Sequence, residues 1–329
     1  MPTPFIRTFR GSRAAPPSYD HLNVQELKRR FLQLGTHNIF DINQFLDAWF
    51  FGAPIETIRR GNVAELVSYG FYSARPADLT AQQSAHIDRF LLDVERTFNC
   101  TFAPGHNPSL RFLCHLWQPL RVWHKSLALY AVIEGYAVLS SWMLQRRGFL
   151  RRRLGGFDVY VHQHDGPGMP VVLLHGVGFG LMPYLPLLSD IQTACPDAPL
   201  IVVEAHHVSQ RLCLMGGARS VDDVANCMLE VLHELGRPQA CVVGHSYGSF
   251  VVSRLLHMRP EAVHSCVVAD PVAMMICYPR LLQAFVYAVR ACFVLMAACY
   301  SSCTTVLQTS VFLLLLETVL MYRICRPGY

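Results

Sequence analysis

The sequence predicts an α/β fold, a mostly parallel sheet with helices on both faces, preceded by a helical N-terminal region. Three observations carry this. From residue 157 onward, short apolar runs alternate with helical stretches. The run VVLL at 171–174 passes directly into His175-Gly176-Val177-Gly178-Phe179-Gly180. The run ACVV at 240–243 passes into Gly244-His245-Ser246-Tyr247-Gly248 and then into apolar Phe250-Val251-Val252. A strand closing in G-x-S-x-G and opening a helix marks a turn so sharp that its serine takes strained backbone angles. Glycines on either side let strand and helix pass without a Cβ clash.

In chain order, residues 1–22 are rich in Pro, Ser and Arg and read as a disordered tail. With three arginines and no acid before Asp20, organelle targeting is one reading of that tail. Residues 23–154 read as a helical N-terminal region. Val24, Leu27, Phe31 and Leu32 share one helical face, and a second helix is expected near residues 42–51. Over 81–98, Thr80 and Gln83 form a capping box before the stripe Ile87, Phe90, Leu91, Val94 and Phe98.

Residues 127–144, LALYAVIEGYAVLSSWML, reach about the minimum length that spans a bilayer. Glu134 near the centre argues against a free spanning helix, whereas the flank RRGFLRRR suits the cytoplasmic side of a membrane segment. Spanning, interfacial and buried helices all remain open for this membrane-proximal segment. Gly155-Gly156 reads as a boundary. The chain is 52% hydrophobic and 16% charged, which points to membrane contact. A net charge of +5 without any groove-reading motif excludes nucleic acid as the expected partner. The 12 cysteines show no metal-ligand spacing and read as small apolar residues.

In the α/β part, FDVYVHQHD with Gly166-Pro167-Gly168 reads as an antiparallel hairpin arm. Further strands are expected at 171–174, 199–204, 240–243 and 264–269. Ser220 and Asp223 cap a helix whose inward residues include Val224, Met228, Val231 and Leu232, and Gly236 ends it.

This succession (strand, HGxGxG, strand, capped helix, strand, GHSYG, helix, strand, Asp-Pro) resembles the α/β-hydrolase fold superfamily in its lipase/esterase-like branch, over residues 157–279. The resemblance implies that Ser246 is the nucleophile and that the backbone N–H groups of Val177 and Tyr247 form the oxyanion hole. His175 and Gly176 belong to the turn beside the hole, where this family's histidine is structural. Asp270 is either the acid of the triad or a cap on the turn before Pro271. His245 is expected to pack, and His206-His207 to line the cleft. Neither cofactor nor metal is implied.

A triad on this fold runs serine, acid, histidine, yet no histidine follows His264. Residues 155–287 therefore read as a truncated hydrolase domain. Residues 288–329 read as an apolar segment whose uncharged stretch 291–316 is long enough for a transmembrane helix. Either the chain is a membrane-anchored truncated variant, or its gene model runs past an exon boundary. The second is preferred, because a sheet cut after its fourth parallel strand leaves an open edge. The expected function is a membrane-associated serine hydrolase of carboxylic esters or lipid-like acyl substrates, inactive or feeble without its base, with the hydrolase domain cytoplasmic. A pseudohydrolase or interaction module and an acyltransferase are the alternatives.

Overall fold

A computed structural model of the chain describes residues 21–37, 41–118, 126–163, 165–212, 219–275 and 278–283. The described residues divide into two units: those up to 118 together with 278–283, and those from 126 to 275. Most of the expected N-terminal tail and the whole apolar segment 288–329, including 291–316, lie outside the described residues.

The first unit is helical. Its helices are α1 (His21–Thr36), α2 (Ile42–Trp49), α3 (Arg60–Tyr72) and α4 (Ala81–Thr97). The capping box before α4 forms as the sequence predicts: Gln83 N–H donates to Thr80 Oγ1 at 3.2 Å, and Thr80 N–H to Gln83 Oε1 at 2.9 Å. Its stripe Ile87, Phe90, Leu91 and Val94 is buried against Val24, Leu46, Tyr69 and Leu113, with Phe98 at the margin. Leu27 departs from the expected inward face and is 44% exposed.

The second unit holds α5 (Leu127–Arg146), α6 (Leu185–Ala194), α7 (Val221–Glu234), α8 (Gly248–Met258) and a short helix at Val272–Met275. Its strands are β1 (Leu150–Leu154), β2 (Phe157–His162), β3 (Val171–Leu174), β4 (Leu200–Glu204), β5 (Ala240–His245) and β6 (Val263–Ala269), in the order β1-β2-β4-β3-β5-β6. The sheet is mixed: β4, β3, β5 and β6 run parallel, while β2 is antiparallel to both β1 and β4.

Strand residues alternate between two apolar layers, as a pleat with period two requires. Val159, Val161, Val172, Leu174, Ile201 and Val203 pack with α7 and α8 residues such as Met228 and Val252. Tyr160, Val171, Leu173, Leu200 and Val202 pack with Leu144 of α5 and with Leu185 and Leu188 of α6. The helices thus cover both faces, which is why the central strands read as continuous apolar runs.

Two expectations are corrected here. Gly155-Gly156, read as a boundary, is the turn of a hairpin in which Leu154 faces Phe157 and Leu150 faces Val161. The strand preceding it, LRRRL, was read as a membrane flank; charged residues blunt an exposed edge strand, so its composition hides its conformation. Consequently the hairpin partner of FDVYVH lies before it, not after the Gly166-Pro167-Gly168 turn. Second, α5 is the one described helix long and apolar enough to cross a membrane, yet Ile133, Ala137, Ser140, Ser141 and Leu144 are buried within this unit. A helix with one face packed on a folded sheet is not surrounded by lipid, so of the three readings of 127–144 the free spanning helix fits least.

Candidate active site

Parallel pairing sets the site. Leu174 is in register with Gly244, and His245 with Ala269, so the carboxyl ends of β3, β5 and β6 finish level with one another. In open α/β sheets this edge is where ligands bind. The turns 175–180, 245–248 and 270–272 all leave from it.

Ser246 sits between β5 and α8 with φ +50°. A left-handed conformation at a residue bearing a Cβ costs about 1–2 kcal/mol, and the surroundings enforce it. The Ser246 N–H donates to the Ala269 carbonyl at 2.9 Å, and Ser249 Oγ donates to the Ser246 carbonyl at 2.6 Å. Ser249 Oγ in turn accepts the Ala273 N–H at 3.0 Å, tying the elbow to the helix after β6. A Cβ on Gly244 would approach the Gly248 carbonyl oxygen to 2.8 Å, and one on Gly248 would run into the carbonyl of Leu174. The glycines of the motif are therefore demanded by packing.

The turn after β3 lies against this serine. A Cβ at Gly176 would stand 2.9 Å from Ser246 Cβ and 2.7 Å from His245 Nδ1. The Gly176 N–H is taken by the Tyr184 hydroxyl at 2.8 Å, the Gly178 N–H by the Val208 carbonyl at 3.1 Å, and the Ser246 N–H by Ala269. Among the described residues, no hydrogen bond claims the N–H of Val177 or of Tyr247. These are the two amides that the resemblance assigns to an oxyanion hole, and two uncommitted donors beside a hydroxyl are what stabilising a developing oxyanion requires.

His175 is 3% exposed, and both of its ring nitrogens are engaged. Nε2 accepts the Ala205 N–H at 2.9 Å, which places the ring proton on Nδ1, 2.8 Å from the Gly176 carbonyl. Burial pulls its pKa down to about 4, with the Gly176 bond opposing in part. A neutral ring with no spare nitrogen braces the turn and is no base. His245 likewise turns Nδ1 to the Tyr184 hydroxyl at 2.6 Å. Its Nε2 lies 3.9 Å from Asp270 Oδ2, and burial lowers its pKa against the pull of the Asp270 charge.

Asp270 has φ +51° and an 81% exposed side chain. Its backbone carbonyl accepts the Val272 N–H at 2.6 Å, but its carboxylate makes no hydrogen bond among the described residues, so the turn is held by main chain and not by a side-chain cap. Among the described residues, no histidine forms a hydrogen bond with Ser246 Oγ either. His207 instead meets the Tyr247 hydroxyl at 3.4 Å.

His206 belongs to a cluster that sequence reasoning missed. Asp158 on β2 is buried and accepts Arg151 Nη2 at 3.0 Å and His206 Nε2 at 2.8 Å. Burial alone would raise its pKa; the His206 hydrogen bond and the Arg151 charge more than offset that and hold it at about 2. Glu204, at the end of β4, is fully buried with neither carboxylate oxygen hydrogen-bonded. Burial raises its pKa, and Arg211 counters only in part. Ligand atoms of Asp158, Glu204 and His206 lie within 4.8 Å of one another, a spacing that suits a metal ion. Arg211 Nη1, however, stands 3.5, 3.7 and 3.2 Å from Asp158, Glu204 and His206. A guanidinium already occupies the position that a cation would take. The one sequence signal for this cluster was a carboxylate in each of two apolar strands, Asp158 second in β2 and Glu204 closing β4.

Residues 171–308 match the family described as alpha/beta hydrolase family, which places this part of the chain in the α/β-hydrolase superfamily. No curated protein matches the chain. Among similar solved structures, a carboxylesterase from the ammonia-oxidizing thaumarchaeon Nitrososphaera gargenis is 20% identical over 36% of this chain and 44% of its own, with a TM-score of 0.30. Est816, an N-acyl homoserine lactone degrading enzyme, is 23% identical over 36% and 44%, with a TM-score of 0.29. Epoxide hydrolase A from Mycobacterium thermoresistibile is 17% identical over 36% and 38%, with a TM-score of 0.29. The chain spans less than half the length of each of these proteins.

Proposed function

We propose that the second unit is built for acyl transfer on carboxylic esters, with Ser246 as nucleophile. The observation that carries this reading is the pair of unclaimed amides, Val177 and Tyr247, beside a serine held at positive φ. Attack of Ser246 Oγ on the acyl carbon forms a tetrahedral oxyanion that these amides receive. Collapse breaks the ester C–O bond and expels the alkoxide, which takes up, through water, the proton that Ser246 Oγ gave up, and leaves an acyl-serine. Water as the acceptor makes the protein a hydrolase of esters or lipid-like acyl compounds; an alcohol acceptor makes it an acyltransferase. Asp270 is the candidate acid, and the His245 ring is its neighbour in the structure.

The proton of Ser246 Oγ lacks a hydrogen-bonded histidine among the described residues, and none follows His264 in the sequence. Removing a triad member typically leaves about 10³–10⁴-fold catalysis over water from the hole and from binding. Without a hydrogen-bonded base at Ser246 Oγ, this unit turns over feebly. The same observation favours a second reading, a pseudohydrolase that keeps the fold and uses it for binding.

A fluorophosphonate probe tests both. Slow labelling that disappears in Ser246→Ala supports the nucleophile without its base. Rapid, saturable labelling overturns the feeble-catalysis reading, labelling indifferent to Ser246→Ala overturns the nucleophile, and no labelling at all leaves the pseudohydrolase.

A further inference from the structure

Helix α5 presents a face that the fold of its own unit does not use. Its buried side carries Ile133, Ala137, Ser140, Ser141 and Leu144. Its one acid, Glu134, is drawn to the flank by Arg211, whose Nη2 lies 2.9 Å from Glu134 Oε2. Outward stand Leu127, Val132, Val138, Leu139 and Trp142, each at least 45% exposed. These positions follow helical spacing, so they form one uncharged apolar stripe along about 22 Å of helix. Apolar residues contiguous on that scale mark a contact surface on a soluble domain.

The carboxyl end of the stripe is cationic. The Arg146 guanidinium lies over the Trp142 ring at 5.1 Å, and edge strand β1 follows at once with Arg151, Arg152 and Arg153 exposed. Arg152 is paired with Glu234 at 3.2 Å, but among the described residues Arg146 and Arg153 face no carboxylate. Between α5 and the hairpin opens a cleft of about 400 Å³, lined by Ser141, Gln145, Arg146, Arg151, Tyr160 and Arg211 among others. Its three guanidiniums are set against the carboxylates of Asp158 and Glu134.

We propose that the outer face of α5 and strand β1 dock on a bilayer containing anionic phospholipid, with the arginine-lined cleft receiving a phosphate-bearing headgroup. The stripe supplies the buried apolar face, Trp142 sits at the headgroup level that aromatic side chains favour, and Arg146 and Arg153 supply the attraction to negative lipid. The charge complementarity selects a lipid surface over a protein partner: the apolar stripe is bordered by one sign of charge at one end only. This inference goes beyond the chemistry at Ser246 and stands without it.

Co-sedimentation of the full chain with vesicles decides the matter. Phosphatidylcholine vesicles containing phosphatidylserine are expected to bind the protein, and those of phosphatidylcholine alone much less. Arg146→Glu and Arg153→Glu are each expected to weaken binding by about fivefold or more, since an arginine near a charged membrane is worth roughly that factor. Raising salt is expected to do the same to the wild type, and Trp142→Ala to weaken binding to both vesicle types. Ser246→Ala should leave vesicle binding unchanged, which separates this test from the catalytic one. Equal, salt-insensitive binding to both vesicle types overturns the proposal. So does no binding to either, or pelleting without vesicles, which would mean that a second copy covers the stripe.

Discussion

The Tyr184 hydroxyl lies 2.6 Å from His245 Nδ1 while accepting the Gly176 N–H at 2.8 Å. One oxygen thereby fastens the turn after β3 to the residue preceding Ser246. With the hydroxyl proton directed to Nδ1, the remaining ring proton of His245 sits on Nε2, the side that faces Asp270 at 3.9 Å. The bond also withdraws the Gly176 amide from the site and leaves the next amide, Val177, as the donor on that turn.

Tyr184→Phe removes this clamp and keeps the ring. It strands a partly buried backbone N–H and a histidine nitrogen, so a loss of about 1–3 kcal/mol of stability is expected. The turn also loses its register against the elbow, and probe labelling of Ser246 should slow several-fold more than a purely global loss explains. Urea unfolding together with labelling at a temperature where both proteins stay folded checks this; labelling at the wild-type rate would show that the clamp does not position Val177.

His175 predicts an acid weakness. Its folded pKa is about 4, well below the ordinary 6.5. A histidine depressed on folding contributes stability that is complete above its unfolded pKa and is lost as pH falls from about 6.5 toward 4. By linkage the loss is about 3 kcal/mol. His175→Ala should cost about 1–3 kcal/mol at pH 7.5, because the Ala205 N–H loses its acceptor, and should flatten the decline between pH 6.5 and 4. Urea midpoints measured across that range check it, and an equally steep decline in the variant would reassign the titration to another group.

How much of this was legible follows from how each signal is encoded. The elbow was, because its two glycines answer a steric demand visible at fixed spacing, and so was the turn at His175, because its strand runs straight into it. The capping boxes at Thr80 and Ser220 were also legible, since each is closed within four residues. Strand β1 was not: three successive arginines carry no period-two apolar pattern, and only pairing with β2 makes them a strand. Nor was the Asp158–Glu204–Arg211 cluster, because Asp158 meets Arg211 across 53 residues and meets Glu204 only through the pairing of β2 with β4. Tyr184 escaped for the same reason, being 61 residues from His245. Short-range chemistry shows in a sequence; contacts made by sheet order do not.

The two buried acids predict opposite pH responses. Asp158, held at about 2 against an ordinary 3.8, contributes stability present above about pH 4 and lost as pH falls toward 2, roughly 2 kcal/mol in all. Glu204 has its pKa raised, so stability is lost as pH rises above its ordinary value near 4.5, where the unfolded chain releases a proton that the folded one keeps. Glu204→Gln keeps the shape without the charge and should raise the thermal midpoint at pH 8 while changing it little at pH 4.5. A variant destabilised equally at both pH values would mean that the carboxylate is ionised and paired to Arg211. Asp158→Asn is expected to be the damaging one, by about 3–5 kcal/mol, since it leaves Arg151 and His206 without their buried partner.

Strain at the elbow makes the last prediction, and it concerns sign. Ser246 is held at φ +50° by the Ala269 carbonyl and by Ser249, whatever its side chain. At an ordinary position glycine is less stable than alanine by about 0.5–1 kcal/mol, because it frees the unfolded chain. At a left-handed position alanine carries a Cβ penalty of about 1–2 kcal/mol that glycine escapes. The penalty is the larger effect, so Ser246→Gly should be more stable than Ser246→Ala by a few tenths to about 1 kcal/mol, and neither should react with the probe. Asp270, at φ +51°, should show the same inversion. Chemical denaturation of the four variants measures it: alanine more stable than glycine at 246 would mean that the turn relaxes out of the left-handed region when the serine is gone. In that case the side chain, and not the packing of Gly248 against Leu174, would be what sets the bend.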